Sequence, residues 1–136
     1  MQWNEPKLLI ADDDRDFRES LKEVLSRRGF STQLAADGRE AVEIVRSQSG
    51  LHLVLLDVHM PRLSGIEALG QIRQLVESTL PCILMSAQFD DQIVHQATLL
   101  DTASLLSKPF TLRDLTGTVD AILQHAYGWR RGDSGH

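Results

Sequence analysis

The sequence predicts a doubly wound α/β sandwich built on a parallel sheet. Three observations carry that prediction: short apolar runs alternate five times with segments of helical period, the connections between them are short, and the strongest run, Leu51 to Leu56, is apolar almost throughout. A strand without polar alternation is covered on both faces, the condition of a parallel strand between two helical layers.

Each element can be justified in turn. Lys7 to Ala11 is a short buried strand that stops abruptly at Asp12, Asp13 and Asp14. Phe17, Leu21, Val24 and Leu25 then recur at helical spacing, and Gly29 closes that helix, with Arg27 and Arg28 at the negative end of its dipole. Ser31 to Ala36 reads as a weaker second strand. Asp37 and Glu40 form the pattern of a capping box, which opens a helix with Ala41, Val42 and Val45 inward. Leu51 to Leu56 is the third strand, ending at Asp57. Pro61 and Gly65 break the chain before a helix marked by Ile66, Leu69, Ile72 and Val76. Pro81 to Met85 forms the fourth strand, ending at Ser86, and Ile93, Val94 and Ala97 mark the fourth helix. Ser104 to Ser107 is a short fifth strand ending at Lys108 and Pro109. Thr111 then caps a last helix with Leu112, Leu115, Val119, Ile122 and Leu123 on one face. The stretch 128–136 has no periodicity and reads as a flexible tail or linker stub.

Composition limits what such a fold does. The 136 residues, 42% of them hydrophobic, suit one domain with one interior. Fourteen Lys and Arg stand against 19 Asp and Glu, a net charge of −5. An acidic chain lacks the positive field that drives nucleic-acid binding, and anionic membranes are disfavoured for the same reason. No apolar stretch approaches the ~20 residues that span a bilayer, and Met1 to Pro6 carry no leader pattern, so a cytoplasmic location is expected. Cys82 is the sole cysteine, which excludes an intramolecular disulfide and a cysteine-based zinc site.

The chemistry lies at the strand ends. In an open parallel sheet, ligands bind outside the carboxyl ends of the strands. There this sequence delivers Asp12 and Asp13, then Asp57, then Ser86, then Lys108. Carboxylates converging in one crevice repel each other, and a divalent cation removes the conflict. An oxygen-only donor set points to Mg2+, with Mn2+ as the other candidate. Cation, ammonium and hydroxyl around one carboxylate make a clamp for a phosphoryl group, with Asp57 left to attack phosphorus.

At this point the chain resembles the receiver domains of two-component response regulators. The resemblance covers residues 7–127 and rests on Ala11-Asp12-Asp13-Asp14, on Leu56-Asp57-Val58-His59-Met60-Pro61 with Gly65, on Met85-Ser86-Ala87, and on Ser107-Lys108-Pro109-Phe110. It implies a flavodoxin-like (βα)5 sandwich with strand order 2-1-3-4-5. It further implies that Asp57 accepts a phosphoryl group from a phosphohistidine on a sensor histidine kinase or phosphotransfer protein. Asp12, Asp13, Asp57 and the backbone carbonyl of His59 would hold Mg2+. Ser86, Ala87 and Lys108 would bind the phosphoryl group, and the Lys108–Pro109 bond would be cis. His59 and Gln88 occupy positions that tune dephosphorylation in the family. Such a domain catalyses only its own phosphorylation and dephosphorylation, and controls an output partner or domain. Apart from the resemblance, the exposed surface of the fourth and fifth helices is a candidate homodimer face.

Two departures stand out. The switch position three residues before the lysine, usually aromatic, is Leu105, and the usual Gly-Ala before the fifth strand is Asp101-Thr102. Asp tolerates the left-handed conformation such a turn needs. Two other readings compete. A haloacid-dehalogenase-like phosphatase would use Asp12 and Asp14, Ser86 and the Asp90-Asp91 pair, but its lysine should precede that pair, whereas Lys108 follows it. An inert receiver-like binding module rests on Leu105 alone.

Overall fold

The computed structural model describes residues 5–76 and 80–130. Five strands and five helices alternate: β1 (Lys7–Ala11), α1 (Arg15–Arg27), β2 (Ser31–Ala35), α2 (Gly38–Ser47), β3 (Leu53–Asp57), α3 (Gly65–Leu75), β4 (Cys82–Ser86), α4 (Asp91–Leu99), β5 (Ser104–Ser107) and α5 (Leu112–Tyr127). The strands pair in parallel, as the sequence predicts, in the order β2-β1-β3-β4-β5 that the resemblance implies, which puts β3 at the centre.

The side-chain period of two sends alternate strand residues into two cores. Leu9, Val54, Leu56 and Leu84 face Val42, Leu69, Ile72 and Ala97, from α2, α3 and α4. Leu8, Ile10, Leu55 and Met85 face Leu21 and Leu25 of α1 and Leu115, Val119 and Leu123 of α5. All five residues of β3 and all five of β4 are buried. None of the described helices is long and apolar enough to cross a membrane.

Several local expectations are corrected. Leu51 and His52 precede the third strand; His52 exchanges hydrogen bonds with Lys7, its backbone N–H donating to the Lys7 carbonyl and its Nδ1 accepting from the Lys7 N–H. Asp37 does cap α2, accepting from the Glu40 N–H at 2.8 Å, but Glu40 returns its bond to the Ala36 N–H rather than to Asp37. Leu112 is 58% exposed, because it opens α5 on the outer side of the Thr111 cap. Val94 is also exposed, leaving Ala97 as the one fully buried residue of α4.

The largest correction concerns the expected tail. Gly128 adopts the left-handed conformation (φ 70°) that closes α5, and its N–H donates to the Gln124 carbonyl. That turn folds Trp129 back into the α1–α5 core, 8% exposed, with its ring centroid 5.2 Å from that of Phe30. A helix-stop glycine followed by an aromatic is a docking pattern, and reading 128–136 as uniformly loose overlooked it. Residues 131–136 lie outside the described residues, as do Met1 to Asn4 at the other end. Trp129→Ala is expected to lower stability by about 2 kcal/mol, the scale of one large side chain returned to water, measured by urea denaturation.

The loop after β3 is pinned by backbone and side-chain contacts alike. A Cβ on Gly38 would lie 2.1 Å from the Leu63 carbonyl oxygen, so α2 begins directly against this loop. Arg62, at φ 66°, sends its guanidinium back to Asp37, 2.7 Å away. The Asp37 carboxyl is held below its ordinary range, first by the Glu40 N–H and then by Arg62. At the opposite end of the sheet Arg73 donates to the carbonyls of Leu100, Leu80 and Asp101, fastening the end of α4 to the entry of β4. Asp101 takes the left-handed turn expected of it, at φ 58°.

Candidate phosphoryl and metal site

Four strand ends build the site. β1 runs out at Ala11, so Asp12 is the last residue still inside, fully buried, while Asp13 is exposed at the rim. Asp57 ends the central strand and keeps 5% exposure. Ser86 ends β4 and is buried; Lys108 follows β5, its backbone N–H donating to the Ser86 carbonyl at 2.8 Å. The Lys108–Pro109 bond is cis, as the resemblance implies.

These ends converge. Carboxylate oxygens of Asp12, Asp13 and Asp57 lie within 4.8 Å of one another. The Lys108 ammonium donates to Asp12 Oδ2 at 2.7 Å and stands 3.5 Å from Asp57 Oδ1. Asp12 Oδ1 accepts from the Asp14 N–H, and the Asp12 backbone carbonyl accepts from Arg18, so this buried acid is fixed from three sides. Burial pushes the Asp57 carboxyl up to about 6, and the negative charge of Asp12 adds to that rise; Lys108 and the His59 N–H pull the other way. The pocket therefore carries more negative charge than one lysine balances. Its donors are all oxygen, and its central acid ionises reluctantly. That is the environment a hard divalent cation relieves.

The Ser86 hydroxyl is engaged within its own turn. It donates to the Gln88 carbonyl at 2.8 Å and accepts from the Gln88 N–H at 3.1 Å, a closed turn beside the pocket. Ala87 and Gln88 are exposed on that turn, and His59 is exposed on the loop after β3. Leu105 is half-buried and packs on the α3–α4 side of the sheet.

Residues read as bystanders are so placed. Asp14 caps α1, accepting from the Phe17 N–H, and Asp90 caps α4, accepting from the Ile93 N–H. Neither joins the carboxylate cluster found among the described residues, which leaves the dehalogenase-like arrangement without its second acid. Cys82 lies in the core with its thiol pushed up to about 11 by burial. His95 and His125 are exposed, and His52 is half-buried, its imidazole held below its usual range by that burial.

One contact escaped the sequence reading, which placed Phe17 only on the inner face of α1. Its ring lies under the Lys108 ammonium, 4.4 Å from nitrogen to centroid, and meets Phe110 edge-on at 5.7 Å and 71°. An aromatic one helical turn beyond Asp13, together with Phe110 two residues past Lys108, was the available signal.

Comparison with known proteins agrees with this geometry. Residues 8–120 match the model of the response regulator receiver domain. The chain is 39% identical over 120 residues to the response regulator MprA of Mycolicibacterium vanbaalenii, covering 87% of this chain and 50% of that protein. It thus spans about half the length of the curated relatives it matches. Among solved structures, it superposes on a response regulator receiver domain protein (CheY-like) from Methanospirillum hungatei with a TM-score of 0.87 at 22% identity, covering 91% of this chain and 98% of that one. The CheX-CheY-BeF3-Mg complex from Borrelia burgdorferi aligns with a TM-score of 0.80 at 26% identity, covering 87% and 89%.

Proposed function

The chain belongs to the receiver-domain family of response regulators, and on that premise we propose that Asp57 is its phosphoacceptor, with Lys108 and Ser86 as the groups that read the phosphoryl charge. The observation that carries this reading is the meeting of three carboxylates and one ammonium at the carboxyl end of the central strands. In the transfer, an Asp57 oxygen forms a bond to phosphorus as the bond from phosphorus to the donor's imidazole nitrogen breaks, and the imidazole leaves.

Asp12, Asp13, Asp57 and the backbone carbonyl of His59 would hold Mg2+ (or Mn2+), which supplies charge neutralisation for the phosphoryl oxygens. Supporting this, the aligned Borrelia complex is one with BeF3 and Mg. The protein's own groups do the rest. Lys108 orients the phosphoryl oxygens, and the Ala87 backbone N–H donates to them. Ser86 is the moving part: to meet the phosphoryl group it must give up its two bonds to Gln88. Reversing a conformational equilibrium from 1:99 to 99:1 takes about 5.5 kcal/mol, and two charge-assisted hydrogen bonds at roughly 1.5–3 kcal/mol each reach that scale. His59 and Gln88, exposed on the loops after β3 and β4, set the lifetime of the acyl phosphate. With Leu105 at the switch position, the shift is transmitted by repacking of aliphatic side chains on the α3–α4 side.

The donor is a sensor histidine kinase or phosphotransfer protein and the reader an output protein or domain; the MprA response regulators, of which this chain spans about half, support both. A second copy is a further reader, meeting α4, where Leu99 is 71% exposed, and the face that runs on to α5. We place the protein in the cytoplasm and assign it self-limited chemistry, its own phosphorylation and hydrolysis, rather than turnover of a separate substrate.

Intact-mass analysis after incubation with acetyl phosphate and Mg2+ tests the assignment. One added phosphoryl group is expected on wild type and none on Asp57→Ala; equal uptake by both would refute it.

A further inference from the structure

We infer that Phe17 is a positioning residue for the phosphoryl chemistry, acting through Lys108; the inference rests on the assignment of Asp57 made above. Lys108 has two kinds of partner. Asp12 and Asp57 hold its ammonium by charge, at 2.7 and 3.5 Å, while the Phe17 ring holds it by the negative face of its π system, 4.4 Å from the centroid.

The two kinds differ in constancy. Asp57 is the group whose charge and shape change on phosphorylation, and Asp12 belongs to the cluster suited to a divalent cation. Both carboxylates therefore alter what they offer Lys108 during the cycle. The ring offers the same field throughout. It leaves the ammonium free to turn its three N–H groups toward whichever oxygen is present, without letting the nitrogen drift into solvent.

The ring is itself held in place. Its edge-on contact with Phe110 ties it to the segment that carries Lys108, and the Phe17 N–H donates to the Asp14 cap of α1. The first turn of α1 and the loop after β5 are thus clasped across the pocket, with the lysine between them. A plain packing role would be served by any apolar side chain of similar size, since Phe17 is only half-buried against the α1–α5 core. A positioning role needs an aromatic face.

Phe17→Leu and Phe17→Tyr in the full chain separate the two. Without ligand, the Lys108 ε-methylene protons are expected upfield in the NMR spectra of wild type and Phe17→Tyr, shifted by the ring current, and at ordinary values in Phe17→Leu. Affinity for beryllofluoride in the presence of Mg2+ is expected to fall roughly threefold to tenfold in Phe17→Leu and to stay within about twofold in Phe17→Tyr. Lys108 protons unshifted in wild type, or equal beryllofluoride affinity in both variants, would overturn the role of Phe17 alone. A wild type with shifted Lys108 protons that binds no beryllofluoride would overturn the assignment of Asp57, and this role with it.

Discussion

Asp57→Asn is expected to take up no phosphoryl group and yet to be more stable than wild type at neutral pH, by about 3 kcal/mol. The stability follows from the carboxyl's own environment. Burial, with Asp12 adding to it, raises this group from 3.8 to about 6, and each unit is worth about 1.4 kcal/mol of difference between the two protonation states. In the unfolded chain the carboxyl titrates near its ordinary value. Above pH 6 it is therefore ionised in both states, and the native state carries the full penalty of holding the charge. Between pH 6 and about 4 the native state binds a proton that the unfolded chain does not, so wild-type stability rises as pH falls. Below the unfolded value nothing more is gained. Asparagine has no such window. The difference between the two unfolding free energies should accordingly shrink from about 3 kcal/mol at pH 7 toward zero near pH 4. Urea denaturation across that range measures it directly, and shared carboxylates elsewhere cancel in the comparison. A pH-independent difference would mean that Asp57 is not the strained acid of the pocket.

Gly65→Ala is expected to cost about 3 kcal/mol or more, moving the urea midpoint down by roughly 2 M. A Cβ at this position would lie 2.2 Å from the Asp57 carbonyl oxygen, with the Asp57 carbonyl carbon at 2.9 Å and the Val58 Cα at 3.0 Å. All three are backbone atoms, and none can swing aside as a side chain could. The Gly65 N–H also donates to the Val58 carbonyl at 2.9 Å, which keeps the approach close. Relief requires the start of α3 to lift away from the end of β3, which moves the loop that carries His59. Phosphoryl uptake should fall together with stability. Gly70→Ala is the matched control: it lies in the same helix with nothing within 4 Å of the new methyl. Helical propensity there predicts a gain of about 0.5–1 kcal/mol.

Much of this was legible in the sequence because two periodicities are physically dictated. Strands such as β3 are apolar up to the terminal Asp57 since both faces are covered, and helices such as α1 show one apolar stripe since one face is. The site residues were legible because they sit where apolar runs stop, and a parallel sheet gathers such stops at one edge. What escaped had a different origin. Trp129 looked like tail because one aromatic after a helix has no period, and its burial depends on Phe30, distant in sequence. Glu40 has the spacing of a capping box, yet its carboxylate reaches one residue further, to the Ala36 N–H. The partner of Ser86 was likewise invisible, since a hydroxyl has several rotamers and only the local turn shows that Gln88 takes it.

The three carbonyls gathered by Arg73 have a mechanical consequence. They moor the distal end of α4, whereas its proximal end hangs from the Asp90 cap and the short turn at Ser86 and Gln88. Ala97 is the helix's one fully buried residue, with the half-buried Ile93 packed on the same core, so its apolar anchorage is small. A disturbance starting at Ser86 should therefore swing α4 about a pivot near Leu100, and the surface beside the pocket should travel furthest while the opposite rim stays still.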